Sequence, residues 1–392
     1  AEAARREGFD EGSVRGYRIL RRAVDARGKG PPTVYLRLEL RIGEGGAAAV
    51  QDLATTPAMG RRPAPRVGRA GRPVIVGFGP AGTFAALRLL ESGVAPIILE
   101  QGRAVDERAR DVQALRTTGR LDPFSNVAFG EGGAGTFSDG KLRTRKRHAD
   151  IEAVLATFVT YGARPSLLYE SHPHVGTDVL IRIARRLRED LIGRGVDLRF
   201  EARVDELLTS HVPLLGSPAA PEASAQLRGL RLATGEELLA EDVLLGPGNS
   251  ARPLFRALAR AGVRLEARAS AVGFRIEHER AWVDRRRYGP AALAAGLSGA
   301  EYALRASSGE RGVYSFCMCP GGYVVPSHVE EGTVRVNGMS NSRRGARYSN
   351  SAIVVTVTPD DYRSFATGDS ELPVFVPADR PPAARASASS SG

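Results

Sequence analysis

The sequence predicts an α/β protein built round a Rossmann-like dinucleotide-binding unit, with a small α+β domain ahead of it. Three observations carry this expectation. The turn Gly77-Phe78-Gly79-Pro80-Ala81-Gly82 stands between an apolar strand pattern and an amphipathic helix pattern. An acid, Glu100, closes the next strand pattern 18 residues after Gly82 (100 − 82). Strand and helix patterns then alternate to about residue 245, the arrangement from which parallel sheets are built.

The small leading domain is read from residues 34–42, where Val34, Leu36, Leu38, Leu40 and Ile42 alternate with Tyr35, Arg37, Glu39 and Arg41. Strict alternation predicts a half-buried strand, with residues 17–24 as its hairpin partner. Residues 55–72, rich in Pro, Gly and Arg, read as a linker. The βαβ unit follows, with strand 73–76, helix 79–92 and strand 96–99. A second helix is expected over 178–192, where Leu180, Ile183, Ala184, Leu187 and Leu191 recur at helical spacing, with a C-cap at Gly193-Arg194-Gly195. Strands are expected at 196–200, 227–232 and 242–245. Residues 211–226 read as a surface insertion, and 379–392 as a low-complexity tail.

The chain has 392 residues, 42% of them hydrophobic, enough for two or three domains. No apolar run approaches the roughly 18 residues of a membrane span, and the first residues show no secretory signal pattern. A start at Ala1 leaves room for a removed transit segment. The net charge of +11 comes almost wholly from arginine, since Lys29, Lys141 and Lys146 are the only lysines. These arginines are scattered and often sit beside acids. Only 143–147 forms a compact basic run, a weak nucleic-acid footprint without interleaved aromatics. Two cysteines, Cys317 and Cys319, argue against a disulfide-stapled secreted protein and for a reducing compartment, cytoplasm or plastid stroma.

Each residue of the fingerprint has a physical role. Gly77 permits the strand-to-helix turn, Gly79 lets a pyrophosphate approach the backbone, and Gly82 lets helix and strand pack closely. The diphosphate meets unpaired N–H groups at the positive end of the helix. Glu100 is placed for a ribose hydroxyl and would repel a 2′-phosphate, which disfavours NADP here. A second G-x-G-x-x-G, at 130–135, lacks the strand–helix context. It predicts a loop over 130–142 with exposed N–H groups, able to wrap an anion or a flavin ring.

Other residue clusters admit two readings each. The C-x-C pair is either a redox or metal pair or, the favoured reading, two reduced buried thiols. His172 and His174 suit metal ligation or a loop before a helix capped by Thr177 or Asp178. His278 suits an acid–base role or a structural hydrogen bond. No metal site is expected, and no catalytic residue is assigned.

Residues 74–103, 130–142 and 313–357 together resemble a family of FAD-dependent oxidoreductases of bacteria and plastids, the FAD-utilising dehydrogenases. The stretches 273–278 (Gly-Phe-Arg-Ile-Glu-His), 314–322 (Tyr-Ser-Phe-Cys-Met-Cys-Pro-Gly-Gly) and 337–341 (Asn-Gly-Met-Ser-Asn) carry most of the likeness. Residues 350–352, 174–178 and 19–27 add to it.

The resemblance implies a glutathione-reductase-like flavoprotein fold. Its parts would be a Rossmann-like FAD-binding domain, an inserted β-rich substrate domain and the small N-terminal α+β domain. The corresponding division is 1–54, linker 55–72, FAD-binding domain 73–254, inserted domain 255–345, an incomplete return to the FAD domain 346–378, and the tail 379–392. It implies FAD as cofactor. Gly77, Gly79, Pro80, Ala81, Gly82 and Glu100 would hold its ADP half, with Gln101 and Arg103 nearby. Gly133, Gly135, Thr136, Gly140, Lys141 and Leu142 would lie along pyrophosphate and ring. Val204 would meet adenine, and Gly246 and Gly248 would form the fold's second glycine signal, although Pro247 and Asn249 are unusual there.

The family's flavin-completing glycine turn is not found after Ala346, so the chain reads as C-terminally truncated. The expected function is flavin-mediated oxidoreduction of a small-molecule substrate, with NAD(P)H as an external reductant, since no second fingerprint marks a dedicated NAD(P) domain. The alternatives are an RNA-associated flavoprotein, motivated by 143–147, and a non-catalytic truncated remnant.

Overall fold

A computed structural model describes residues 2–26, 31–43, 51–52, 71–142, 144, 148, 150–212, 224–294, 297 and 299–361. The linker at 55–70, the surface insertion at 213–223, the tail and the basic run 143–147 (apart from Thr144) lie outside them. The RNA reading therefore has no structural counterpart to be weighed.

A short helix α1 (Glu2–Arg6) leads into the antiparallel hairpin of β1 (Val14–Asp25) and β2 (Thr33–Ile42), with β3 (Gln51–Asp52) parallel to β1 on its other side. The hairpin is as expected, but the half-burial of β2 is not. Val34 and Leu36 are each 50% exposed. The face of Val34, Leu36, Leu38, Leu40 and Ile42 borders an open hollow shared with Ala3, Arg6 and Phe9. The hairpin is tied to the rest of the molecule through backbone bonds from Arg22 N to Tyr169 O (2.7 Å) and from Ser171 N to Arg22 O (3.0 Å).

The central unit starts with β4 (Val74–Val76), α2 (Pro80–Glu91), β5 (Ile97–Leu99), α3 (Val105–Thr118), α4 (Asp150–Thr160), α5 (Thr177–Gly193) and β6 (Asp197–Arg199). Then come the three strands β7 (Val204–Val212), β8 (Ser224–Leu232) and β9 (Glu237–Leu239), followed by β10 (Val243–Leu245) and α6 (Arg252–Arg260). The parallel sheet has the order β10-β4-β5-β6. Helix α5 ends as expected: Gly195 takes φ +89°, and Val196 N bonds back to Leu191 O at 3.0 Å.

The two faces of this sheet are covered differently. Ile75 and Ile98 pack under α2 and α5 with Leu87, Ile183, Leu187 and Leu191. Val74, Val76 and Leu99 pack on the other side against Val204, Leu230 and Leu232 of the β7-β8-β9 sheet and Leu254 and Ala257 of α6. The expected strand at 227–232 thus belongs to an antiparallel sheet and not to the parallel one. The reason is the connection. Only a tight turn with Gly235 at φ +89° separates β8 from β9, whereas a parallel pairing needs a crossover of about a dozen residues or more.

The last unit comprises β11 (Ser270–Glu279), α7 (Arg280–Ala294), β12 (Arg305–Ser308), β13 (Arg311–Cys319), β14 (Tyr323–Pro326), β15 (Val336–Met339) and β16 (Tyr348–Val357). Four strands form an antiparallel sheet of order β11-β16-β13-β12, and β14 pairs with β15. This corrects the expected inserted domain at both ends. Residues 255–260 belong to α6 in the first core, and β16, expected in the return segment 346–378, is hydrogen-bonded to β11 on one edge and β13 on the other. No helix among the described residues is long and apolar enough to cross a membrane.

Candidate functional site

The glycine turn sits where the fingerprint requires. Gly77 has φ +99°, and a Cβ there would stand 2.4 Å from the Gly246 carbonyl oxygen. A Cβ on Gly82 would meet the Gly77 oxygen at 2.0 Å and Ile75 Cγ2 at 3.1 Å. Both glycines are therefore demanded by the protein's own packing. Gly79 differs. Its φ of −83° and ψ of −171° suit any residue, and a Cβ would find only Gly133 Cα, at 3.7 Å. Helix α2 begins with Gly79 as N-cap and Pro80 at the first position, without a side-chain cap or an acidic residue in its first turn. Its end thus offers N–H groups and partial positive charge to an anion.

A cleft of about 580 Å³ opens over this helix end. Its lining includes Gln101 and residues 202–204, Gly77, Gly79, Pro80, Ala81 and Glu100, and Gly133, Gly135 and residues 246–251. That volume lies within the usual range for small-molecule and cofactor sites, about 300–1,000 Å³. Eleven of the residues expected at the cofactor line it: Gly77, Gly79, Pro80, Ala81, Glu100, Gln101, Gly133, Gly135, Val204, Gly246 and Gly248. Gly82 lies behind it, where helix and strand touch.

Glu100 is buried and organises the cleft from below. Its Oε2 accepts the Phe78 N–H at 2.8 Å, and its Oε1 accepts the N–H groups of Gly102 and Gly130, each at 2.9 Å. One carboxylate thus joins the fingerprint turn, the turn after β5 and the glycine loop.

The remaining expected residues are placed elsewhere. Arg103 forms ion pairs with Asp111 (2.9 Å), Asp122 (3.2 Å) and Glu201 (3.2 Å) beside an adjoining hollow. Thr136, Gly140, Lys141 and Leu142 border a separate, largely apolar cavity of about 160 Å³ with Phe84, Phe158 and Leu180. Lys141 turns toward the last unit, where its ammonium donates to the Met318 carbonyl and lies 3.7 Å from Asp139 and 3.6 Å from Glu301. Gly133 and Gly135 line the cleft, but from Thr136 onward the expected residues border the other cavity. Spacing along the sequence does not reveal that departure.

Sequence reasoning missed Arg108, which is wholly buried in α3. Its guanidinium donates to five carbonyls: Asn126 (2.8 Å), Val127 (3.0 Å), Gly130 (3.2 Å), Glu131 (2.5 Å) and Gly133 (2.9 Å). Burial lowers its pKa to about 10, which still leaves it charged at neutral pH. Glu131 beside it accepts from Val105 N and Arg188 Nη1, both at 2.6 Å, while burial pushes its carboxyl upward. An arginine among the charges of α3 looks like part of a solvated helix face. Nothing local marks it as the clamp of a loop some twenty residues on.

A second polar cluster joins the central unit to the last one. Asp139 accepts from Ser340 Oγ and pairs with Arg344 at 3.2 Å, and His174 Nε2 lies 3.3 Å from Ser340 Oγ. The expected helix cap at Thr177 or Asp178 is not formed. Gly176 is the N-cap, at φ +90°, and Thr177 Oγ1 donates to Ser138 O instead. Asp178 is turned across the junction, where it accepts from Ser342 N and Oγ, each at 2.7 Å. The loop from 340 to 342 runs so close to Gly176 that a Cβ there would meet Ser342 N at 2.2 Å, and tertiary contact displaces the local cap. His278 lies outside the cleft, hydrogen-bonded to the Tyr302 hydroxyl at 2.9 Å.

Burial lowers the His174 pKa to about 4, with Arg344 adding to the effect and Asp139 opposing it. The unfolded chain takes up that proton near 6.5, so between these values the unfolded state binds more protons. The group's contribution is complete above about pH 6.5 and is lost as pH falls toward 4, amounting to about 3 kcal/mol. Urea unfolding at neutral pH and near pH 4 measures this. The acid-induced loss is expected to shrink in His174→Asn, and an unchanged loss would assign it to other groups.

Residues 269–372 match the family described as FAD-dependent protein, C-terminal domain-like. This segment is similar to the C-terminal domain of that FAD-dependent family. A protein of Clostridium beijerinckii, described as uncharacterised, is 40% identical over 294 residues, which is 74% of this chain and 52% of that one. The chain spans about half the length of this relative. Among solved structures, a flavoprotein/dehydrogenase from Cytophaga hutchinsonii is 13% identical at a TM-score of 0.33, covering 76% of this chain and 57% of its own. PqsL of Pseudomonas aeruginosa is 14% identical at a TM-score of 0.29, covering 75% and 62%. Likeness of this size does not bear on activity.

Proposed function

We propose that the chain binds FAD in the 580 Å³ cleft and serves as a flavin-dependent oxidoreductase acting on a small-molecule substrate. The observation that carries this reading is Gly79. Neither its backbone angles nor its surroundings in the protein require glycine, so the missing side chain is accounted for by a ligand that must touch the backbone. The bare start of α2 beside it suits a diphosphate, and the family of residues 269–372 is FAD-dependent.

In this reading Gly79, Pro80 and Ala81 hold the diphosphate at the helix end. Glu100, already bonded to three backbone N–H groups, keeps about one spare lone pair, on Oε2, for a ribose hydroxyl. Val204 and Gln101, which line the cleft, would border the adenine, and Gly133 and Gly135 the pyrophosphate. FAD when bound would supply hydride or electron transfer. The chain's own residues orient it, keep the loop at 130–135 in place through Arg108, and present the β11–β16 unit as the substrate side. A glutathione-reductase-like arrangement, an external NAD(P)H donor and a reducing compartment are parts of the same proposal.

The test is to load the purified chain with FAD, remove the excess, and record the visible spectrum before and after NADH or NADPH. Retained flavin absorbance is expected, and bleaching by one nicotinamide would name the donor. A folded chain that retains no flavin would sink the reading.

A further inference from the structure

The chain's two cysteines lie outside the dinucleotide cleft, and their backbone is unusual. Strand β13 pairs Phe316 with Ala352 and Cys319 with Asn350, three steps along one strand against two along the other. One extra residue is therefore bulged out. Within the bulge Cys317 takes φ +46°, a left-handed conformation that a residue with a Cβ adopts only when its surroundings impose it. In a regular strand the Cα atoms of an i, i+2 pair stand about 6.6–6.8 Å apart, at the outer limit for a disulfide. The bulge removes that regular spacing. Cys319 Sγ donates to the Cys317 carbonyl oxygen at 3.4 Å, which brings the buried thiol back over the bulged residue.

The surroundings divide the pair into unlike members. Cys319 is fully buried, and the facing strand makes room for its sulfur: a Cβ on Gly338 would stand 2.6 Å from it. Cys317 is only partly buried, next to Phe316, which is 60% exposed. Two cations lie beside the pair. Arg275 Nη1 lies 3.2 Å from the Cys317 oxygen, and the Lys141 ammonium holds the Met318 carbonyl. The neighbouring Cys319 thiol lowers the Cys317 pKa, helped by Arg275 and Lys141 against burial. The same proximity, with burial, raises that of Cys319.

We propose that Cys317 and Cys319 form a dithiol–disulfide exchange site, with Cys317 as attacking thiol, Cys319 as resolving thiol, and low-molecular-weight disulfides as the substrate class. The Cys317 thiolate attacks one sulfur of R–S–S–R, making a mixed disulfide and releasing one R–S⁻. Cys319 then loses its proton to solvent and attacks the Cys317 sulfur, forming the Cys317–Cys319 bond and releasing the second R–S⁻. The external disulfide is reduced to two thiols as the two cysteines are oxidised, so no further oxidant is needed. The site does not depend on a bound dinucleotide, and its test contains none.

The probe is oxidised glutathione added to the full chain at neutral pH, followed by alkylation with iodoacetamide and intact-mass measurement. The wild type is expected to lose two hydrogens, carry no glutathione and resist alkylation until reduced. The variant Cys319→Ser should accumulate one glutathione per chain, and Cys317→Ser should react at least about tenfold more slowly than Cys319→Ser. Without oxidant, the pH midpoint for alkylation of Cys317 in the wild type should lie below that of an ordinary thiol and move to higher pH in Cys319→Ser. A wild type that keeps two alkylatable thiols, or ends as a stable glutathione adduct, would overturn the proposal without recourse to any variant. Equal rates in the two variants would also overturn it.

Discussion

Replacing Arg108 by methionine is expected to lower the stability of the chain by about 3–5 kcal/mol, the usual loss when one partner of a buried charged network is removed. The side chain is fully buried, and its guanidinium serves five carbonyls between Asn126 and Gly133. Methionine fills much of the volume but donates nothing. The carbonyls are then left without their donor, and each buried polar group deprived of a partner costs about 1–3 kcal/mol unless the loop opens to water. Opening is the cheaper course, so the loss should fall short of the sum over five acceptors. The loop at 130–133 would move from Gly79, and flavin retention should fall together with stability. Lysine is expected to rescue only part of this, because a single ammonium has three donors and no planar fork. Denaturant unfolding of the two variants measures the effect. A loss below about 1 kcal/mol for methionine would mean that the loop is held by other contacts, Glu100 to Gly130 N above all.

Gly79→Ala should have the opposite signature. Its methyl group meets only Gly133 Cα at an ordinary 3.7 Å, and its backbone angles are open to alanine. Stability should stay within about 0.5–1 kcal/mol of the wild type, with any change toward gain, since alanine leaves the unfolded chain less freedom to lose. Flavin affinity should nevertheless drop at least about tenfold, or 1.4 kcal/mol, because the methyl occupies the surface a diphosphate must reach. Gly82→Ala is the contrast. Its Cβ would stand 2.0 Å from the Gly77 oxygen, so stability and binding should fall together. Titration of each variant with FAD beside a thermal unfolding curve separates the two effects. A Gly79→Ala chain that binds FAD like the wild type would refute the placement of the diphosphate at α2.

These two residues also mark how much of the site could be read in advance. Gly79 was legible because its role is local: strand, turn and helix lie within a few residues, and hydrophobic period and glycine spacing report them directly. The hairpin at the start and helix α5 with its glycine cap were legible for the same reason. Arg108 was not, because its partners lie 18–25 residues away and its neighbours in sequence are ordinary helix-face charges. Lys141 shows the complementary limit. Its place in a glycine-rich loop suggested the cofactor, yet its ammonium is taken by Met318 and two acids of the cluster at the domain junction. Thr177 and Asp178 read as helix caps, but the Thr177 hydroxyl is taken by Ser138 O and the Asp178 carboxylate by Ser342.

By itself the sequence determined the elements whose signal is periodic or local: the β4–α2–β5 unit with its glycine turn, the hairpin of β1 and β2, and the amphipathic α5. Tertiary structure alone decided three further things. The parallel sheet is covered by helices on one face and by the β7-β8-β9 sheet on the other; β16 is central to the last sheet; and Arg108 holds the glycine loop against the cleft. The physical reason is common to all three. Backbone periodicity and glycine φ preferences act over a few residues and leave a trace in the sequence. Which apolar face meets which, and which buried cation finds which carbonyls, depends on segments that meet only once the chain has closed on itself.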